Sequence, residues 1–116
     1  MRNMSFAITT RQIVDRTKTV TRRRGWKTLK PGTLIRAVKK GMGLKPGEQL
    51  EPLAVLCVVD VRREPLHAID DEDVQREGFV MPAHEFVEMF CRHMGGDRNQ
   101  ILTRIEFRYV PGGRFQ

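Results

Sequence analysis

Leu53-Ala54-Val55-Leu56-Cys57-Val58-Val59-Asp60-Val61 is the most apolar segment of the chain, and its reading decides the architecture. Nine residues rich in Val and Leu suit a strand buried on both faces and fall well short of the roughly 18 that a membrane-spanning helix needs. The segment therefore predicts the central strand of a sheet. On its C-terminal side, Asp70-Asp71-Glu72-Asp73 sets acids where a helix N-terminus favours them, through capping and the helix dipole. That helix is expected to stop near Gly78, a residue suited to the left-handed position after a last turn. Pro82 fits the first turn of a second helix, along which Phe86, Phe90 and the pair His93/Met94 recur on one face until Gly95-Gly96. Residues 101–110 alternate and read as a final strand, and residues 111–116 as a loose tail.

On the N-terminal side, residues 39–51 hold Gly41, Gly43, Pro46 and Gly47 and read as a long, mobile loop. Residues 33–38 predict a strand after the Pro31-Gly32 turn, and the Thr- and Val-rich residues 18–24 predict another. Residues 4–9 alternate weakly as a first strand. Thr9 with Gln12 has the pattern of a capping box opening a short helix that carries Ile13 and Val14. The order is strand, helix, several strands, two short helices, strand, with no repeat and no linker. It predicts one domain over residues 1–116, with a core at about 4–110. The class is α+β, mainly β: a small barrel with short helices over its ends.

The 116 residues are 40% hydrophobic and 30% charged, which excludes wholesale disorder and suffices for one core. No apolar run follows Met1-Arg2-Asn3-Met4-Ser5, so a secretory signal is not expected. Cys57 and Cys91 are too few for a disulfide framework, and His67, His84 and His93 lack metal-ligand spacing. No metal and no cofactor are expected, and the compartment implied is the reducing cytoplasm.

The formal net charge of +7 is concentrated rather than spread. From Arg11 to Lys30 there are eight basic residues against one acid, Asp15, while the rest of the chain is balanced. Such a segment is either a solvated face or the footprint of an anionic partner, most simply RNA or a nucleotide. Four to six phosphate contacts would give a log–log salt slope of about −3 to −5 on single strands. The window has no large apolar face for a membrane surface. Within it, Lys18 and Thr21 stand three apart, a spacing that points side chains to opposite faces of a regular strand. They converge only if Lys18 lies in the turn before the strand. A lysine desolvated among arginines could then accept the threonine's proton. Trp26 could stack on a base or cap the core, Thr21 could be a plain strand residue, and Glu77 could be a surface carboxylate pairing with Arg76 or with an arginine of residues 18–23.

Lys18-Thr19-Val20-Thr21-Arg22-Arg23 resembles the K-x-x-T-x-R signature of ASCH domains, whose fold is similar to the PUA domain. The acidic helix ending in Glu77-Gly78-Phe79 resembles the second ASCH segment, and the likeness runs from about residue 4 to residue 110. It implies a small PUA-like β-barrel with a cleft lined by both motifs, and a protein that binds or acts on RNA. One bacterial branch hydrolyses the amide of N(4)-acetylcytidine. Carried over by motif, its residues are Thr21 as nucleophile, Lys18 as proton acceptor and Glu77 as orienting carboxylate, with Arg23 on an anionic or carbonyl oxygen. Arg16 stands where many members have glycine, and the loop 39–51 is longer than in the small amidohydrolases. The expected function is binding of RNA or a modified nucleoside in a basic cleft, with Arg22, Arg23, Arg24, Trp26 and Lys27 as contacts. An amidohydrolase is the alternative; a ribonuclease or a protein-interaction module ranks below it.

Overall fold

The protein is described here from a computed structural model covering residues 1–41 and 43–112. Its elements are β1 (Arg2–Ser5), α1 (Thr10–Val14), β2 (Val20–Arg23), β3 (Leu34–Val38), β4 (Pro52–Pro65), a 3₁₀ turn (Leu66–Ala68), α2 (Asp71–Arg76), α3 (Ala83–Met94) and β5 (Ile101–Tyr109). The apolar segment that opened the sequence reading lies in β4, the middle strand of a five-stranded sheet ordered β1-β3-β4-β5-β2. β1 runs parallel to β3, and the other neighbours are antiparallel. β1 and β2 are the two edges, so the sheet is a half-barrel, the mainly-β form the sequence predicted.

β4 is longer than its apolar part because β5 carries the ladder on through Arg62, Arg63 and Glu64 to Pro65. A register shift between Val58 and Asp60 places a bulge there and leaves Val59 exposed. Burial on both faces is accordingly confined to Leu56, Cys57 and Val58. One core, with Met4, Phe6, Ile13, Ile35, Leu56, Val58, Ile105 and Phe107, fills the half-barrel. A second, with Leu66, Ile69, Val74, Phe86, Phe90 and Leu102, lies under α2 and α3. Fully burying each such large side chain is worth about 1.5–3 kcal/mol, so these clusters hold the helices to the sheet.

Two local expectations are corrected. The first strand is Arg2–Ser5 rather than residues 4–9. The capping box at Thr9 does not form: Thr9 makes no side-chain cap, Thr10 Oγ1 donates to the Phe6 carbonyl at 2.8 Å, and Gln12 Nε2 reaches the Gly78 carbonyl at 3.3 Å. Gln12 is drawn to the end of α2 because that carbonyl offers an acceptor where α1 packs. The cap on α2 forms as the acids suggested, with Asp70 accepting from the Asp73 backbone N–H at 2.7 Å. Pro82 is the N-cap of α3, immediately before its first turn. The loop 39–51 has no helix or strand among its described residues, Met42 lying outside them, and the Lys39 N–H to Glu51 carbonyl bond at 2.9 Å closes its base. Of the expected tail, residues 113–116 lie outside the described residues. Among those described, no helix is long and apolar enough to cross a membrane.

Candidate functional site

Lys18 lies in the turn before β2, the placement its convergence with Thr21 requires. Arg16 opens that turn at φ 62°, the left-handed conformation that glycine adopts at little cost. The Lys18 carbonyl accepts from Tyr109 Oη at 2.7 Å, and the Thr19 N–H donates to the Arg76 carbonyl at 2.7 Å, which docks the turn against the end of α2. Burial pushes the Tyr109 phenol up to about 12, so it remains a donor. Asp73 on α2 and Glu77, its C-cap, stand four apart on one helical face, next to Val74 and turned inward with it. Gly78 then reverses the chain at φ 95°; a Cβ there would stand 2.7 Å from Gln12 Cγ.

These placements assemble a buried ion network. Lys18 Nζ donates to Glu77 Oε1 at 2.7 Å and to the Glu77 carbonyl at 2.9 Å. Arg22 Nη1 donates to Glu77 Oε2 at 2.9 Å, while Nη2 serves Asp73 and Glu64. Arg104 grips Asp73 with two bonds of 2.9 and 2.7 Å. Three cations thus meet three carboxylates, Glu64, Asp73 and Glu77. Burial lowers the Lys18 pKa, opposed by Glu77 and reinforced by Arg23 and Arg22. Burial pushes the Asp73 carboxyl up, yet the Arg104 and Arg22 guanidiniums outweigh it and hold the group well below the usual carboxylate range. Burial disfavours the Arg22 charge, but Glu77 and Asp73 raise its pKa on balance.

Beside the network opens a cavity of about 330 Å³ that Lys18, Thr21, Arg22, Arg23 and Glu77 all line. Its walls are apolar, from Phe6, Ile8, Phe79, Phe86, Met89 and Phe90. Thr21 and Arg23, two apart on β2, share a face, and Arg23 Nε donates to Thr21 Oγ1 at 3.1 Å. The Arg23 guanidinium lies 4.7 Å from the Phe6 ring centroid. Lys18 therefore bonds to Glu77 and Thr21 to Arg23; among the described residues no hydrogen bond joins Lys18 to Thr21.

The cluster of cations expected to meet RNA is distributed differently. Arg22 is 3% exposed and committed to carboxylates. Arg24 is exposed beside Gln100, with Nε 3.3 Å from Oε1. Lys27 is exposed, and Trp26 packs against the first core with the Arg2 guanidinium 3.9 Å from its ring centroid. Arg24, Trp26 and Lys27 lie outside the cavity lining. Sequence reading missed Asp73 and Arg104 as network members and most of the apolar wall. The i,i+4 spacing of Asp73 and Glu77 carried the first; Arg104 looked like any outward residue of an alternating strand. A second cavity of about 300 Å³ lies past Asp73, lined by charged groups that include Arg62, Glu64, Arg76 and Arg104.

Half-barrel, helices and cleft together define an ASCH-like, PUA-like fold. The chain is similar to an ASCH domain from Lactobacillus crispatus JV V101, with TM-score 0.60 and 12% identity over 93% of this chain and 78% of that one. It is also similar to a protein of Enterococcus faecalis V583 assigned to the family DUF984, with TM-score 0.65 and 16% identity over 94% of this chain and 78% of that one. No family model and no curated protein matches the sequence.

Proposed function

We propose that this protein binds RNA or a modified nucleoside, with a base held in the cavity between β2 and the end of α2. One observation carries the reading: a cavity of about 330 Å³ whose lining joins aromatic and aliphatic side chains to the polar Lys18, Thr21, Arg23 and Glu77. Such a volume suits a small ligand, and apolar walls with few convergent polar groups are how such sites bind and orient one. A base would lie against the phenylalanines, and its polar edge would meet the lysine ammonium and threonine hydroxyl as donors and Glu77 as acceptor. In RNA, flanking phosphates would reach the exposed Arg24 and Lys27. Such ligands belong to the cytoplasm, where Cys57 and Cys91, both free, would stay reduced.

Titration of labelled protein with cytidine, N(4)-acetylcytidine and a short single-stranded RNA tests this. Amide shifts clustered at Thr21, Glu77 and Phe79 are expected. RNA affinity should fall with salt at a log–log slope of about −3 to −5. No localised shift with any of the three ligands rejects the reading. Cleaved RNA in the same titration would instead identify a ribonuclease, and a tight protein partner without nucleotide affinity an interaction module.

The amidohydrolase reading is favoured by one further observation: burial lowers the Lys18 pKa at a cavity shared with Thr21 and Glu77. In its neutral form Lys18 would take the Thr21 proton as the hydroxyl oxygen bonds to the acyl carbon. It would then pass that proton to the departing cytidine amine, and water would free the acyl group as its acid. Turnover of N(4)-acetylcytidine that is lost in Thr21→Ala and Lys18→Ala supports this reading; turnover that survives both removes it.

A further inference from the structure

Among the three consecutive arginines, Arg23 alone combines a place in the cavity wall with the absence of a carboxylate partner. Arg22 shares three carboxylates with Lys18 and Arg104, and Arg24 faces solvent beside Gln100. The Arg23 contacts are a hydrogen bond from Nε to Thr21 and the Phe6 ring; among the described residues its terminal nitrogens have no hydrogen-bond partner. Glu77 lies near enough to favour its charge, but both Glu77 oxygens already accept from Lys18 and Arg22. The nearest acid is therefore already engaged, and Arg23 stands in the apolar cavity with no carboxylate bonded to it. Burial pushes the Arg23 pKa down to about 10, only partly opposed by Glu77, and the group stays charged at neutral pH. A half-buried charge with no carboxylate bonded to it is costly, and a planar guanidinium with both terminal nitrogens free matches two oxygens of one anion. Thr21 adds a donor: its oxygen accepts from Arg23 Nε, which leaves the hydroxyl proton to point elsewhere.

We propose that Arg23, with Thr21, forms a subsite for a single oxyanion, so that the ligand is a monoanion with an apolar body, its charge supplied by a phosphodiester or a carboxylate. The proposal deepens the binding reading and rests on the same cavity. It adds that a neutral nucleoside fills the site incompletely.

Matched probes test it on wild-type protein: cytidine against cytidine 2′,3′-cyclic monophosphate, and benzamide against benzoate. The readouts are dissociation constants and the NMR shift of Arg23 Nε–H. In at least one pair the anion should bind about tenfold or more tighter than its neutral partner and shift that resonance, as charge-assisted bonds require. Arg23→Gln should abolish the preference, and Arg23→Lys should retain part of it. Equal binding within both pairs, or a preference that survives Arg23→Gln, overturns the proposal; should that variant not fold, Arg23→Lys and the wild-type pairs decide. A benzoate preference with neither cytidine probe bound upholds the subsite and rejects the nucleoside reading. Cytidine bound without gain from the cyclic phosphate, and no benzoate preference, does the reverse. A preference confined to the cyclic phosphate assigns the charge to a phosphodiester. No binding by any probe rejects both.

Discussion

The two cavities that share the ion network draw on the same chemical groups and differ in what those groups leave free. In the charged cavity, Arg104 is gripped by Asp73, Arg62 by Glu64 and Arg76 by Asp73, so each guanidinium that lines it has a carboxylate partner. In the apolar-walled cavity the acid, Glu77, is taken up by Lys18 and Arg22, and Arg23 has no carboxylate bonded to it. An arginine is scaffold or recogniser according to whether its carboxylate is supplied by the chain, and neighbours in sequence can fall on opposite sides of that line.

The strongest way to break this contrast is to remove the shared acid. Asp73→Ala removes the two-bond grip on buried Arg104, leaving it only the longer contacts to Glu106 and Asp60, and takes one of three carboxylates from Arg22; it should cost about 3 kcal/mol in denaturant unfolding. A loss under about 1 kcal/mol would mean that the network is solvated and the contrast false. Acid titration examines the same group by another route. The folded-state pKa of Asp73 lies below its unfolded value of roughly 3.9, so its contribution is complete above about pH 4 and drains away as the pH falls below that. Asp73→Asn should flatten the stability slope in this acid range.

Gly78→Ala comes next in size. Its φ of 95° and the 2.7 Å approach to Gln12 Cγ should cost more than about 1 kcal/mol by separating α1 from the end of α2. The arginine series sharpens the comparison further. Arg23→Met should leave stability within about 1 kcal/mol of wild type or raise it, because it deletes an uncompensated charge. Arg24→Gln should change it by less than about 0.5 kcal/mol. Last, Arg16→Gly should stay within about 1 kcal/mol, since relief of the left-handed backbone offsets the lost Tyr109 contact and added chain freedom; Arg16→Val should cost visibly more.

Much of the half-barrel was legible because its signals are local. Alternation marked β5, Pro31-Gly32 announced β3, the acids at residues 70–73 marked the start of α2, and the apolar segment named the middle strand. What escaped depends on distant partners. Nothing around Arg62-Arg63-Glu64 says strand until β5 lies alongside, and Gln12 looks like a capping residue until the Gly78 carbonyl comes within reach. The meeting of Lys18 with Glu77, 59 positions apart, was legible only through the resemblance to ASCH motifs. The different fates of Arg22, Arg23 and Arg24 had no sequence signal, because strand period separates Arg22 from its neighbours but does not say which side holds the acids.

One pairing bears on how the molecule comes apart. β4 and β5 stay paired from Leu56↔Tyr109 to Pro65↔Ile101, interrupted only by the bulge at Val59, contributing Leu56, Val58, Ile105 and Phe107 to one core, Leu102 to the other, and leading directly into Leu66. This shared rail couples the halves mechanically: thermal melting should be a single cooperative event, and amides on the rail should exchange with deuterium at the rate of global opening. The hollow would then keep its form at every temperature short of complete collapse of the fold.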